Sequence, residues 1–410
     1  MRNRFLNSHG QVRNYVRNRR LPHDNLDNQP VAQDQLGPGF TRRVVKTNPV
    51  ESNSARMFYE RWSITCVERT RGLDAQALRM WAHRLVSELA VQDWFVFIYL
   101  LVLSGAVAAA PASPERTTNL HQLVALLVWL VVTLVAVRGG ILARSTFASL
   151  LYRLSLLGTT LASYFMLRSL LPIVNTGALD APLYRFDLAV FGFEPTLWMD
   201  QFVTPQTTEW FAFFYYSYFF LIAAYVLPMV LLCRRMKLFA EFSLGFLGVY
   251  LFAHIIYMLV PGYGPFRFLA DQFQNPLPLG FWYERVLEAV NGAGAQKDIF
   301  PSLHTGGPTV CFLFALRHRK TSPFKYTWVV TGFFAANIII ATMFLRWHYL
   351  IDIIAGLTLA TLASVAAAAI ANWEHNVRLQ RALQPVWFHL LPARKPSASL
   401  DTSSESQATS

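Results

Sequence analysis

YTWVVTGFFAANIIIATMFLRWHYLIDIIAGLTLATLASVAAAAIA, residues 326–371, consists of two apolar runs joined by the short polar connection Arg346-Trp347-His348-Tyr349. Each run is close to the roughly 20 apolar residues that cross a hydrocarbon core of ~30 Å. Inside hydrocarbon a chain must satisfy its own amides and carbonyls, so such runs are helices, and so short a joint makes them an antiparallel pair. Working outward, the same signal recurs at 94–110, 121–137, 147–171, 210–233, 242–260 and 302–316. The last of these is short and carries Pro308. The fold class expected is therefore all-α, a polytopic membrane helical bundle of about eight spans. Composition agrees, with 54% hydrophobic and 14% aromatic residues against only 15% charged ones over 410 positions.

The net charge of +12 raises the possibility of a nucleic-acid partner. The basic residues sort by topology instead. Arg138 and Arg144, then Arg234, Arg235 and Lys237, then Arg317, Arg319 and Lys320 fall in connections on one side of the bundle. By the positive-inside rule that side is the cytoplasm, with both termini, and no nucleic acid is implied. The other face receives 111–120, about 172–209, the Gly/Pro-rich 261–301 and the Arg346–Tyr349 turn. Residues 1–53 read as a disordered basic cytoplasmic arm. Residues 54–92 read as amphipathic interfacial helices, with a soluble helical hairpin as the alternative, and 93–146 as two accessory transmembrane helices. Residues 373–410 form a cytoplasmic tail, disordered at its Ser-rich end. Cys66, Cys233 and Cys311 lie too far apart in sequence to suggest a disulfide framework or a CxxC site.

The residues that carry chemistry collect on the non-cytoplasmic face. Phe300-Pro301-Ser302-Leu303-His304-Thr305-Gly306-Gly307 opens the sixth span. Pro301 suits a first helical turn, and the free amides beyond it would bind an anion beside His304. In Arg346-Trp347-His348-Tyr349-Leu350-Ile351-Asp352, His348 and Asp352 stand four apart. On one helix face the carboxylate would hold one ring nitrogen and free the other as nucleophile or base. An Asp at the edge of an apolar span calls for such a role. Trp347 and Tyr349 need nothing beyond interfacial anchoring. Arg267, closing the turn Val260-Pro261-Gly262-Tyr263-Gly264-Pro265-Phe266, could deliver a guanidinium to phosphate. Arg168, near the outer end of the third span, is a further cation, with snorkelling to the interface as its plain alternative.

Pro301-Ser302-Leu303-His304 and His348-x3-Asp352 resemble the second and third motifs of the type 2 phosphatidic acid phosphatase superfamily. Phe300–Gly306 and Ala341-Thr342-Met343-Phe344-Leu345-Arg346-Trp347-His348-Tyr349-Leu350-Ile351-Asp352 are most similar to its inositol phosphorylceramide synthase branch. The resemblance implies a six-span phosphatase-like core at 147–372. It also implies a membrane lipid phosphotransferase, with a phospholipid or lipid phosphate as donor and a lipid alcohol such as ceramide as acceptor. His348 would attack phosphorus to give a phosphohistidine, Asp352 would orient it, and His304 would serve as acid and then base. Ser302, the amides through Gly306, Arg267, Arg346 and Arg168 would bind phosphate. No metal and no cofactor enter that scheme; a His/His/Asp zinc site lacks the usual short multi-ligand motifs. Three departures stand out: Ala341-Thr342 replaces the Ser-Arg of the general third motif, Leu303 replaces the glycine of the second, and the basic first motif is absent. A lipid phosphate phosphatase, with water as acceptor, is the second reading, and a non-enzymatic lipid transporter a third from another class.

Overall fold

The computed structural model describes residues 75–390; the arm, residues 54–74 and the Ser-rich end lie outside the described residues. Thirteen helices follow one another: α1 (Ala75–Glu88), α2 (Val91–Ala109), α3 (Pro114–Arg138), α4 (Thr146–Val174), α5 (Asp180–Phe191), α6 (Pro195–Met199), α7 (Pro205–Leu232), α8 (Met236–Leu259), α9 (Pro265–Phe268), α10 (Phe281–Ala293), α11 (Leu303–Arg317), α12 (Phe324–Phe344) and α13 (Leu350–Gln380). No strand occurs among the described residues, only an isolated bridge between Gly262 and Asp298. The chain is an all-α membrane bundle.

Seven of these helices, α2, α3, α4, α7, α8, α12 and α13, are long and apolar enough to cross a membrane. The sixth expected span is different. α11 has 15 residues, about 22 Å at 1.5 Å per residue, short of the ~30 Å core. It can be short because α7, α8, α12 and α13 all pack against it. Its N-terminal end is buried in protein, while Arg317 at its C-terminal end is exposed. Outer surfaces carry exposed apolar side chains, among them Val128, Leu161, Phe220, Val329, Phe333 and Leu362, as lipid-facing helices require.

Helix starts follow local capping chemistry. Ser113, Ser145, Thr204 and Ser302 each accept a hydrogen bond from an amide three residues on, Arg116, Ala148, Thr207 and Thr305, which satisfies one orphan donor of a new helix. α13 runs past the expected end at 371 to Gln380. The chain then folds back. Arg138 donates to the carbonyls of Pro385 and Val386, Arg153 to that of Phe388 and Arg378 to that of Gln384. Trp387 is buried between Phe239 and Tyr152. Arg138 is also paired to Asp93 at 3.1 Å, with both side chains fully buried.

Candidate active site

His348 stands in the turn between α12 and α13, not on a helix. α12 ends at Phe344, Arg346 takes a left-handed φ of 69°, and the amides of Trp347 and His348 both donate to the carbonyl of Thr342. The expected helical face shared by His348 and Asp352 is therefore corrected. Asp352, in the first turn of α13, reaches back: its Oδ2 accepts from the Tyr349 amide at 2.9 Å and lies 3.4 Å from His348 Nδ1. A single carboxylate oxygen thus caps the helix and faces the imidazole. Asp187 on α5 supplies the other cap, accepting from the amides of Leu350 and Ile351. His348 is buried, and burial pushes its pKa down to about 4, against the opposing pull of Asp298 and of the Ile299 carbonyl. Its ring is neutral at physiological pH.

His304 lies in the first turn of α11. Pro301 stands before the N-cap Ser302, not inside the helix, and follows a cis peptide bond. The Ser302 amide donates to the Asp352 carbonyl at 3.0 Å, which ties the start of α11 to the start of α13. Gly356 makes the approach possible, since a Cβ there would lie 2.6 Å from the Ser302 carbonyl oxygen. Tyr215 stacks on His304 at 4.3 Å and 17°, and Tyr218 lies 4.3 Å away on a tilted ring. His304 Nε2 is buried with no hydrogen-bond partner among the described residues. The two imidazole centroids are 6.3 Å apart.

The cations expected to bind phosphate are mostly committed elsewhere. Arg346 pairs with Asp200 at 2.7 Å, donates to the Asn275 carbonyl and covers the Phe273 ring at 3.9 Å. Arg168 donates to the carbonyls of Asn291 and Gly292, at the end of α10. Arg267 is exposed and lies 4.2 Å over the Tyr263 ring. Gly306 is a packing residue: its amide bonds to the Ser302 carbonyl, and a Cβ would press on Val249 at 2.9 Å. The partners that claim Arg346 and Arg168 are remote in sequence. Ser302 itself caps α11 through Thr305.

Sequence reasoning missed the carboxylates that hold the outer turns. Asp180 accepts from the amides of Tyr263 and Gly264 and from the Tyr349 hydroxyl. It pins the 262–264 turn beside the His348 turn, where Gly264 has φ 83° and a Cβ would sit 2.3 Å from the Trp347 carbonyl oxygen. Asp200 accepts from the amides of Gln274 and Asn275 as well as from Arg346. The signal was available: Asp180, Asp187, Glu194 and Asp200 recur at near-regular spacing through an otherwise apolar connection. All four are buried.

Two histidines with ring centroids 6.3 Å apart, one backed by an aspartate, stand at the joined ends of α11, α12 and α13. Residues 181–366 match the family model of the PAP2 superfamily. The matched stretch runs from α5 into α13 and includes His304, His348 and Asp352. It supports the type 2 phosphatidic acid phosphatase superfamily, and with it a phosphatase or phosphotransferase enzyme acting on lipid phosphates in membranes. No curated protein and no solved structure matches the chain.

Proposed function

We propose that the chain is a lipid phosphotransferase that works through a phosphohistidine at His348, similar in its reaction to inositol phosphorylceramide synthase. The observation that carries this reading is the 6.3 Å pairing of His304 with His348, the latter backed by Asp352 through Nδ1. Asp352 keeps the proton on Nδ1, so Nε2 offers its lone pair to phosphorus. His304, which takes up a proton as the anionic donor binds, gives it to the departing lipid oxygen as the P–O bond breaks. It then takes the proton of the incoming hydroxyl as that oxygen attacks phosphorus and the P–N bond breaks. The amides of Leu303 and His304, which have no acceptor among the described residues, are the donors available to the phosphoryl oxygens. The acceptor is a lipid hydroxyl such as that of a ceramide.

We assign this chemistry to the non-cytoplasmic face, because the basic connections following α3, α7 and α11 stand at the opposite ends of their helices. The test is label transfer in lipid nanodiscs. Headgroup-phosphorus-labelled phospholipid is incubated with and without a lipid alcohol, and the protein is quenched in alkali, where phosphohistidine survives. Label on the wild-type protein, absent in His348→Ala, and a new labelled lipid only when the acceptor is present support the transferase. Label released to water in place of a new lipid assigns the phosphatase. Turnover that survives His348→Ala removes the enzyme mechanism altogether.

A further inference from the structure

One carboxylate beside the two histidines has no part in that scheme. Asp298 stands four residues before Ser302 in the stretch bridged to Gly262. It accepts from the Tyr164 hydroxyl at 3.4 Å. Its charge acts on His348 and on the hydroxyls of Tyr215, Tyr218 and Tyr257. These side chains come from α4, α7, α8 and the 345–349 turn, so Asp298 lies within the group that surrounds the histidines. It nevertheless keeps part of its surface exposed, as do Tyr164 and His304. Burial raises its carboxyl above the ordinary range.

No cation among the described residues compensates it. Neighbouring Lys297 turns its ammonium to the carbonyls of Asn175, Thr176 and Gly177. Arg346 and Arg168 have the partners given above, and Arg267 sits over Tyr263. A partly buried carboxylate beside the place where a phosphate must bind is an electrostatic conflict, because both charges are negative and incompletely screened. A phosphate that brings its own cation removes the conflict. In an aminoalcohol headgroup the ammonium is two carbons from the phosphate oxygen. Tyrosine hydroxyl oxygens and ring faces also suit an ammonium.

We propose that Asp298, flanked by Tyr164 and Tyr215, is a subsite for the ammonium group of the donor headgroup, which makes the donor a zwitterionic phospholipid, phosphatidylethanolamine or phosphatidylcholine. The proposal rests on the phosphohistidine reading of His348. The bonds made and broken at phosphorus are those described above, and the ammonium stays on Asp298 through both steps without chemical change.

The experiment uses the full chain in nanodiscs of a non-substrate ether lipid, each carrying one labelled donor: phosphatidylethanolamine, phosphatidylcholine or phosphatidylinositol. Wild type, Asp298→Asn and His348→Ala are compared by label on the protein and in the acceptor lipid. Wild type should turn over at least one of the two ammonium lipids about tenfold or more faster than phosphatidylinositol, and Asp298→Asn should erase that preference by slowing the ammonium lipids alone. Phosphatidylethanolamine as the faster donor means that N–H donors are read; phosphatidylcholine means that the cation and its methyl groups are. A wild-type preference for phosphatidylinositol overturns the proposal, and so does an equal slowing of all three donors by Asp298→Asn. Should that variant fail to fold, Tyr164→Phe removes one hydroxyl and should lower the ratio of ammonium-lipid to phosphatidylinositol turnover; an unchanged ratio overturns the proposal. Absence of His348-dependent labelling with every donor overturns the phosphohistidine reading instead.

Discussion

Asp352→Asn preserves the shape of the side chain and removes its charge. In the wild type, Oδ2 accepts from the Tyr349 amide at 2.9 Å and faces His348 Nδ1 at 3.4 Å. An asparagine oxygen in the place of Oδ2 keeps both contacts and puts the NH2 group where Oδ1 has no partner. The tautomer is then held, and what is lost is the negative charge that offsets the positive charge His348 acquires as it is phosphorylated. In a Ser-His-Asp triad, where the exchange also switches the tautomer, it costs ~10⁴-fold in kcat, about 5.5 kcal/mol in the barrier, which is the upper bound here. Here a loss of roughly 10³–10⁴-fold is expected, with the α13 cap intact and stability within about 1 kcal/mol of wild type. Label transfer in nanodiscs gives the rate, and thermal melting in detergent gives the stability. A folded Asp352→Asn protein with more than a tenth of the wild-type rate refutes the assignment of Asp352 as the charge that supports His348. Asp352→Ala should lose activity to a similar degree and melt lower, because the cap goes with the charge.

The acid limb of kcat/KM should lie well below the ordinary imidazole value of ~6.5. With the His348 pKa at about 4, protonation of the nucleophile should cost nothing between pH 7 and about 5 and should reduce the rate only toward 4; a limb at 6.5 contradicts the burial argument. The same shift affects stability. Between pH 6.5 and about 4 the unfolded chain binds a proton that the folded site refuses, so the contribution of His348 is complete above 6.5 and is lost toward 4. Arg346→Gln should destabilise by about 3–5 kcal/mol by stranding buried Asp200, and Arg346→Gln with Asp200→Asn should recover part of that. A raised KM with unchanged melting would return Arg346 to the phosphate.

That His304, His348 and Asp352 belong together was legible because each member lies in a short motif: His304 three residues past a proline, and His348 four before an aspartate at the mouth of an apolar run. The arginines were not, because the fate of a guanidinium depends on what comes to it. Asp200 reaches Arg346 across 146 residues and the Asn291 carbonyl reaches Arg168 across 123, and no local pattern reports such pairings. The helix boundary at His348 was hidden for a related reason. An apolar run gives the length of a span, but the left-handed Arg346 and the carbonyl of Thr342, which accepts two amides, set where α12 stops. Gly306 looked like part of an anion loop because the first turn of a helix and a tight interhelical contact both ask for glycine.

The fold-back of residues 383–390 has a consequence for biogenesis. Arg138 precedes its carbonyl partner Val386 by 248 residues, and Arg153 precedes Phe388 by 235. A ribosome therefore delivers two guanidiniums bound for the protein interior long before the carbonyls that complete their hydrogen bonding exist, although Asp93 is already there to pair with Arg138. Until residues 385–388 have emerged, part of the donor capacity of both groups has no acceptor in the chain. The bundle closes from its final residues, so a stop codon near position 382, far from every catalytic side chain, leaves the first membrane helices without their lock.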